Sequence, residues 1–181
     1  MSTNTNKKTK QLMFAAMAIA LATVASFLKI MDMPMGGSVT LFSMLFISLI
    51  GYWYGPTVGI MTGVAYGLLQ FTLDPYVFSI PQVIIDYPLA FGALGLSGFF
   101  KDKKFGMTIG YVVSVLGRYF FAFLSGYIFF GMYAPEGWNP VIYSLAYNGA
   151  YLGAEALLTI IVMNVPPVKK ALDKVKVMAL N

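Results

Sequence analysis

Apolar positions along the 181 residues fall in long blocks, not in the alternation of a half-buried strand or the single stripe of a soluble helix. A bilayer core asks for about 20 apolar residues per helix. Six blocks approach that length: Leu12–Ile30, Val39–Tyr54, Thr57–Leu73, Ile80–Phe100, Met107–Met132 and Val141–Val165. The joints are rich in turn formers or charge, namely MDMPMGG (31–37), DPYVFS (74–79), KDKKFG (101–106) and YAPEGWNP (133–140). Only Gly55-Pro56 parts the second block from the third, which predicts a tight turn between antiparallel helices. The pattern predicts an all-α integral membrane protein of six transmembrane helices in one membrane domain. Residues 1–11 form an N-terminal tail, 12–165 the bundle and 166–181 a C-terminal tail.

Composition agrees: 59% of the residues are hydrophobic, 10% are charged, and the mean hydropathy is +0.75. The chain has neither cysteine nor histidine, so thiolate chemistry, disulfides and the commonest metal ligands are missing, and no metal or cofactor is expected. The basic start, MSTNTNKKTK, leads into an apolar run without a small-residue cleavage site, which reads as a retained first span. The net charge of +5 comes from lysines beside apolar segments, so topology explains it better than nucleic acid does. With six spans, ten lysines (Lys7, Lys8, Lys10, Lys101, Lys103, Lys104, Lys169, Lys170, Lys174 and Lys176) share one side, against Lys29 on the other. The positive-inside rule makes that side, with both termini, cytoplasmic. No GxxxxGK[ST] motif occurs, so uphill transport would draw its energy from something other than this chain.

Three ionisable residues interrupt the apolar blocks: Asp86, Arg118 and Glu155. Such residues face a bundle interior or a cavity more often than lipid. At ~1.5 Å per residue, Asp86 lies roughly 9 Å below the outer end of its span, and Arg118 and Glu155 roughly 21 Å. Asp86 reads either as a structural partner of Arg118 or as a carboxylate lining an outward-facing cavity. Tyr87 follows it, and Pro88 frees a backbone carbonyl that a cavity or a neighbouring helix must satisfy. On the last span Tyr143, Tyr147 and Tyr151 recur every four residues, with Ser144 and Asn148 on an adjoining stripe. Asn148 needs partners that lipid lacks, whereas Tyr133 and Trp138, in a loop with Glu136, fit a lid or an interfacial belt equally well. A carboxylate, a tyrosine wall and an amide suit a flat, hydrogen-bonding, cationic aromatic ligand. In the first span Ala16 and Ala20, and separately Ala18, Ala22 and Ser26, form small-residue stripes that suit close helix packing, internal or with a partner.

The segments GGSVTLFSM (36–44), DYPLAFGALGLSGFF (86–100), RYFFAFLSGYIFF (118–130) and EGWNPVIYSLAYNG (136–149), in this order, resemble the thiamine-specific substrate-binding subunit (S component) of energy-coupling factor transporters, the ThiT/YuaJ group. The resemblance runs from Phe14 to Pro166. It implies a six-helix S-component bundle in a bacterial cell membrane, with a thiamine pocket walled by helices four to six and lidded by the loop between helices one and two. It also implies partners, a transmembrane coupling subunit and two cytoplasmic ATPases, with docking through the alanine-rich first helix. By position it assigns the acidic–tyrosine pair to Asp86 and Tyr87, the ring-contacting tyrosine to Tyr143 and the pyrimidine-reading amide to Asn148. Tyr76, Gly126 and Arg118 also fall at pocket positions. Three residues depart from the group's pattern: Asp86 stands for a glutamate, Ala122 for a histidine and Phe130 for a tryptophan. These leave thiamine, a phosphorylated form and the pyrimidine moiety as candidate ligands. A related heterocyclic vitamin, an intramembrane enzyme and a purely structural subunit are the other readings, and the enzyme lacks clustered carboxylates or a nucleophile with its base.

Overall fold

A computed structural model describes residues 2–181. The first apolar block lies within α1 (Ser2–Phe27), which runs through the lysine-bearing N-terminal segment. The MDMPMGG joint is more than a turn. Strands β1 (Lys29–Asp32) and β2 (Ser38–Thr40) pair antiparallel, Lys29 opposite Thr40 and Asp32 opposite Ser38, around a 3-10 turn at Pro34–Gly36. Helices α2 (Ser43–Tyr54) and α3 (Pro56–Leu73) follow, parted as expected at Gly55, whose φ of 99° is one that glycine adopts without steric cost. The helical segment α4 (Ile80–Phe100) is irregular, while α5 (Gly106–Phe130) and α6 (Pro140–Asn164) are long and regular.

The expected C-terminal tail is itself a helix, α7 (Pro166–Leu180), so the described residues hold seven helices. It packs on the C-terminal end of α2: Tyr54 Oη donates to the carbonyl of Ala179 at 2.9 Å, and Lys176 Nζ sits 4.2 Å from the Tyr52 ring centroid. Among the described residues, four helical stretches are long and apolar enough to cross a bilayer: Asn6–Phe27, Ile80–Phe100, Gly106–Tyr133 and Pro140–Asn164. The six predicted spans reduce to these four by that measure. α2 is apolar but has 12 residues, about 18 Å of helix against a core of about 30 Å. In α3, glycine, threonine, tyrosine and Gln70 dilute the apolar run.

The core centres on α2, whose Met44, Ile47 and Ile50 are fully enclosed together with Tyr66, Leu94, Tyr111 and Leu152. α3 and α4 meet through a glycine seam. A Cβ on Gly95 would lie 2.1 Å from the Ile60 nitrogen, and one on Gly67 would lie 2.4 Å from the Tyr87 carbonyl oxygen. Gly59, Gly63 and Gly67 repeat every four residues and so present one face to α4. From Ala93 to Phe100 α4 tightens to 3-10 geometry, and buried serines supply partners for its backbone. Ser114 Oγ donates to the Leu94 carbonyl at 2.7 Å and accepts from the Ser97 N–H at 2.8 Å.

Candidate functional site

Pro88 cannot donate to the carbonyl one turn back, and the chain answers with a π-helical turn over Ile85–Leu89, where the Ala90 N–H reaches back to the Ile85 carbonyl. This widened turn carries Asp86 and Tyr87 at the wall of a cavity of about 410 Å3 lying between the β1–β2 hairpin, the C-terminal ends of α1 and α3, and α4, α5 and α6. The cavity brings together Tyr76, Asp86, Tyr87, Arg118, Gly126, Phe130, Tyr143, Tyr147, Asn148, Tyr151 and Glu155 from the sequence reading, and adds Gln82 and Ser125.

Asp86 is held from its own helix. The fully buried Gln82 donates through Nε2 to Asp86 Oδ2 at 2.6 Å and to the Tyr76 carbonyl at 3.2 Å, while its Oε1 accepts from the Phe78 N–H at 2.9 Å. Gln82 therefore fixes both the carboxylate and the 74–79 loop. Its i, i+4 spacing from Asp86 is visible in sequence, but a glutamine near a span end draws no notice by itself. Tyr87 fixes the same loop from the other side, donating to the Asp74 carbonyl at 3.1 Å and accepting from the Tyr76 N–H at 2.9 Å. Tyr76 in turn leans on Phe130, with ring centroids 5.6 Å apart.

Asp86 and Arg118 form no ion pair. Among the described residues the pair within contact distance is Lys29 with Asp32, at 3.1 Å. The Arg118 guanidinium instead lies over the Phe91 ring, 4.2 Å from its centroid, so a cation–π contact positions it at the cavity wall. Asn148, nearly buried, finds its partners within protein: Nδ2 donates to the Ser144 carbonyl at 2.9 Å, and Oδ1 accepts from Tyr151 Oη at 3.0 Å. Gly126 makes this approach of α5 and α6 possible, since a Cβ there would lie 2.3 Å from Ser144 Oγ.

Glu155 is 2% exposed, as suits an ionisable residue that faces the bundle interior. Its carboxylate accepts from Thr40 Oγ1 at 2.7 Å, Ser43 Oγ at 3.0 Å and the Met44 N–H at 3.2 Å. Eight residues away on the same helix, Tyr147 Oη accepts from the Gly37 N–H at 3.0 Å and donates to the Pro34 carbonyl. The hairpin thus lies along α6. A Cβ on Gly37 would meet Tyr147 Oη at 2.6 Å, so only glycine lets the hairpin tip come this close.

Trp138 stands outside the cavity, 52% exposed, and Tyr133 stacks on Phe130 with centroids 6.3 Å apart and does not line it either. On α1 the two small-residue stripes separate: Ala18 and Ala22 are buried in the core, whereas Ala16 and Ala20 lie on an exposed face with Met13, Met17, Leu21 and Val24.

Residues 12–174 match the family described as "Thiamine transporter protein (Thia_YuaJ)". The chain is 34% identical over 176 residues to the thiamine transporter ThiT of Bacillus subtilis, spanning 88% of this chain and 91% of that protein. It is 35% identical over 97 residues to ThiT of Lacticaseibacillus paracasei, spanning 46% and 48% of the two chains. The fold is similar to a solved structure of ThiT from Listeria monocytogenes, with a TM-score of 0.76 and 26% identity over 90% of this chain and 98% of that one. A polar, tyrosine-walled cavity among apolar spans thus accompanies a family match over most of the sequence, and the chain belongs to the thiamine transporter family.

Proposed function

We propose that this protein is the thiamine-binding subunit of an energy-coupling factor importer, taking the vitamin into the cavity beside Asp86 from the outer face of a bacterial cell membrane. The observation that carries the reading is the charge of the cavity. With Asp74, Asp86 and Glu155 against Lys29 and Arg118 on its lining, its formal charge is −1, and thiamine is a monocation of two linked aromatic rings. Tyr76, Phe130 and Tyr143 offer ring faces, Asp86 offers the anion, and the Asn148 and Tyr151 pair offers polar edges. Phosphate esters of thiamine add negative charge to a cavity that already carries a net negative one, so the unphosphorylated vitamin is the favoured guest. Delivery inward in this reading draws on a transmembrane coupling subunit and two cytoplasmic ATPases, the partners that the S-component resemblance implies. The exposed Ala16 and Ala20 face of α1 is the docking surface assigned to that coupling subunit, and the ten-lysine side of the chain, with both termini, is cytoplasmic. Titration of the detergent-solubilised protein with thiamine, its mono- and diphosphates, its pyrimidine precursor and riboflavin tests the ligand. Submicromolar binding of thiamine with weaker binding of both phosphates is expected. Preferential binding of riboflavin or of a phosphate would sink the assignment.

A further inference from the structure

The hairpin between α1 and α2 closes one side of the cavity, and two residues of α6 hold it at different places. Tyr147 bonds the turn at Pro34 and Gly37, while Glu155 bonds the return strand and the start of α2. The second set has an unusual construction. Helix α2 has no side-chain cap of its own: its N-cap residue is Phe42, in the left-handed region at φ 63°, which is uncommon for a bulky residue. That turn swings Thr40, Ser43 and the Met44 N–H toward one point, and the point is occupied by the Glu155 carboxylate from a helix far away in sequence. Both oxygens accept, and the N-terminal end of α2 faces the negative charge. All three side chains are buried, with Thr40 7%, Ser43 3% and Glu155 2% exposed. All three also line the cavity.

We infer that Glu155 is a positioning residue for ligand retention: it caps α2 across the bundle and so anchors the base of the hairpin, leaving the turn held by Tyr147 as the part that opens. The inference rests on the thiamine-binding reading for its kinetic test but not for its structural one. Loosening the base lets the closed hairpin lift more often, so escape of a bound ligand speeds up, and entry, which passes through the same opening, is not slowed.

The test uses the full-length protein in detergent or nanodiscs, with Glu155→Gln as the first variant and Thr40→Val, which keeps shape and removes one donor, as the second. For Glu155→Gln the thiamine dissociation rate is expected to rise about tenfold, part of it from the charge removed from the cavity, and for Thr40→Val, which leaves that charge in place, about threefold with an association rate no lower than wild type. Hydrogen exchange at Ser38–Thr40 should quicken in both variants, with and without thiamine, while exchange in the α5 core stays unchanged. Exchange at Ser38–Thr40 equal to wild type overturns the inference, as does an affinity loss confined to the association rate. If the wild-type protein fails to bind thiamine, the functional reading falls, and the exchange measured without ligand still decides the role of Glu155.

Discussion

At the scale of single residues, the site depends on side chains that hold other side chains. Gln82 meets Asp86 at 2.6 Å and also ties two backbone groups of the 74–79 loop. Gln82→Ala leaves the carboxylate and the Phe78 N–H without these partners, a loss of about 1–3 kcal/mol, so thiamine affinity should fall roughly 10- to 100-fold in a fluorescence titration. Gly126→Ala places a methyl group 2.3 Å from Ser144 Oγ and 2.9 Å from Asn148 Nδ2. It should destabilise the protein by about 1–3 kcal/mol in thermal unfolding and weaken thiamine binding as well. Asp86 and Asn148 were legible in the sequence because a charge and an amide stand out in an apolar run. Gln82 and Glu155 were less so, since their importance lies in partners 4 and 115 residues away, and only the folded chain brings Thr40 to Glu155.

Among the elements, hydrophobic length located the helices well and their regularity poorly. The blocks at Ile80–Phe100 and Pro140–Asn164 have nearly the predicted ends, because Pro81 and Pro140 sit near the first turn, where a missing N–H costs nothing. The π-helical turn at Ile85–Leu89 was foreshadowed by Pro88, but the 3-10 stretch after it depends on Ser97 and Ser114 as local partners, which no periodicity announces. The hairpin of residues 29–40 is hidden in the sequence, because its methionines, proline and glycines read as a turn and its two strands are only four and three residues long. α7 has no apolar run of spanning length, because lysines interrupt its apolar positions, so its sequence reads as a tail. Truncation after Val165 removes the Tyr54 hydrogen bond and the Tyr52–Lys176 contact. It should lower the melting temperature by several degrees while leaving thiamine affinity within about threefold, since α7 packs at the end of α2 away from the cavity.

For the molecule as a whole, the absence of cysteine makes its membrane sidedness easy to measure. Single cysteines at Lys103 or Lys174 should resist a membrane-impermeant maleimide in intact cells and react after permeabilisation, whereas one at Glu136 should react from outside. The reverse pattern would invert the proposed orientation. The glycine seam carries a further consequence, for motion. Along α3 and α4 backbone meets backbone, with Gly95 against Ile60 and Gly98 against Pro56, so few rotatable side chains remain to absorb displacement. The two helices have little choice but to travel as one rigid block, so a spectroscopic distance between α3 and α4 should stay constant through a transport cycle while distances from that block to the β1–β2 hairpin change.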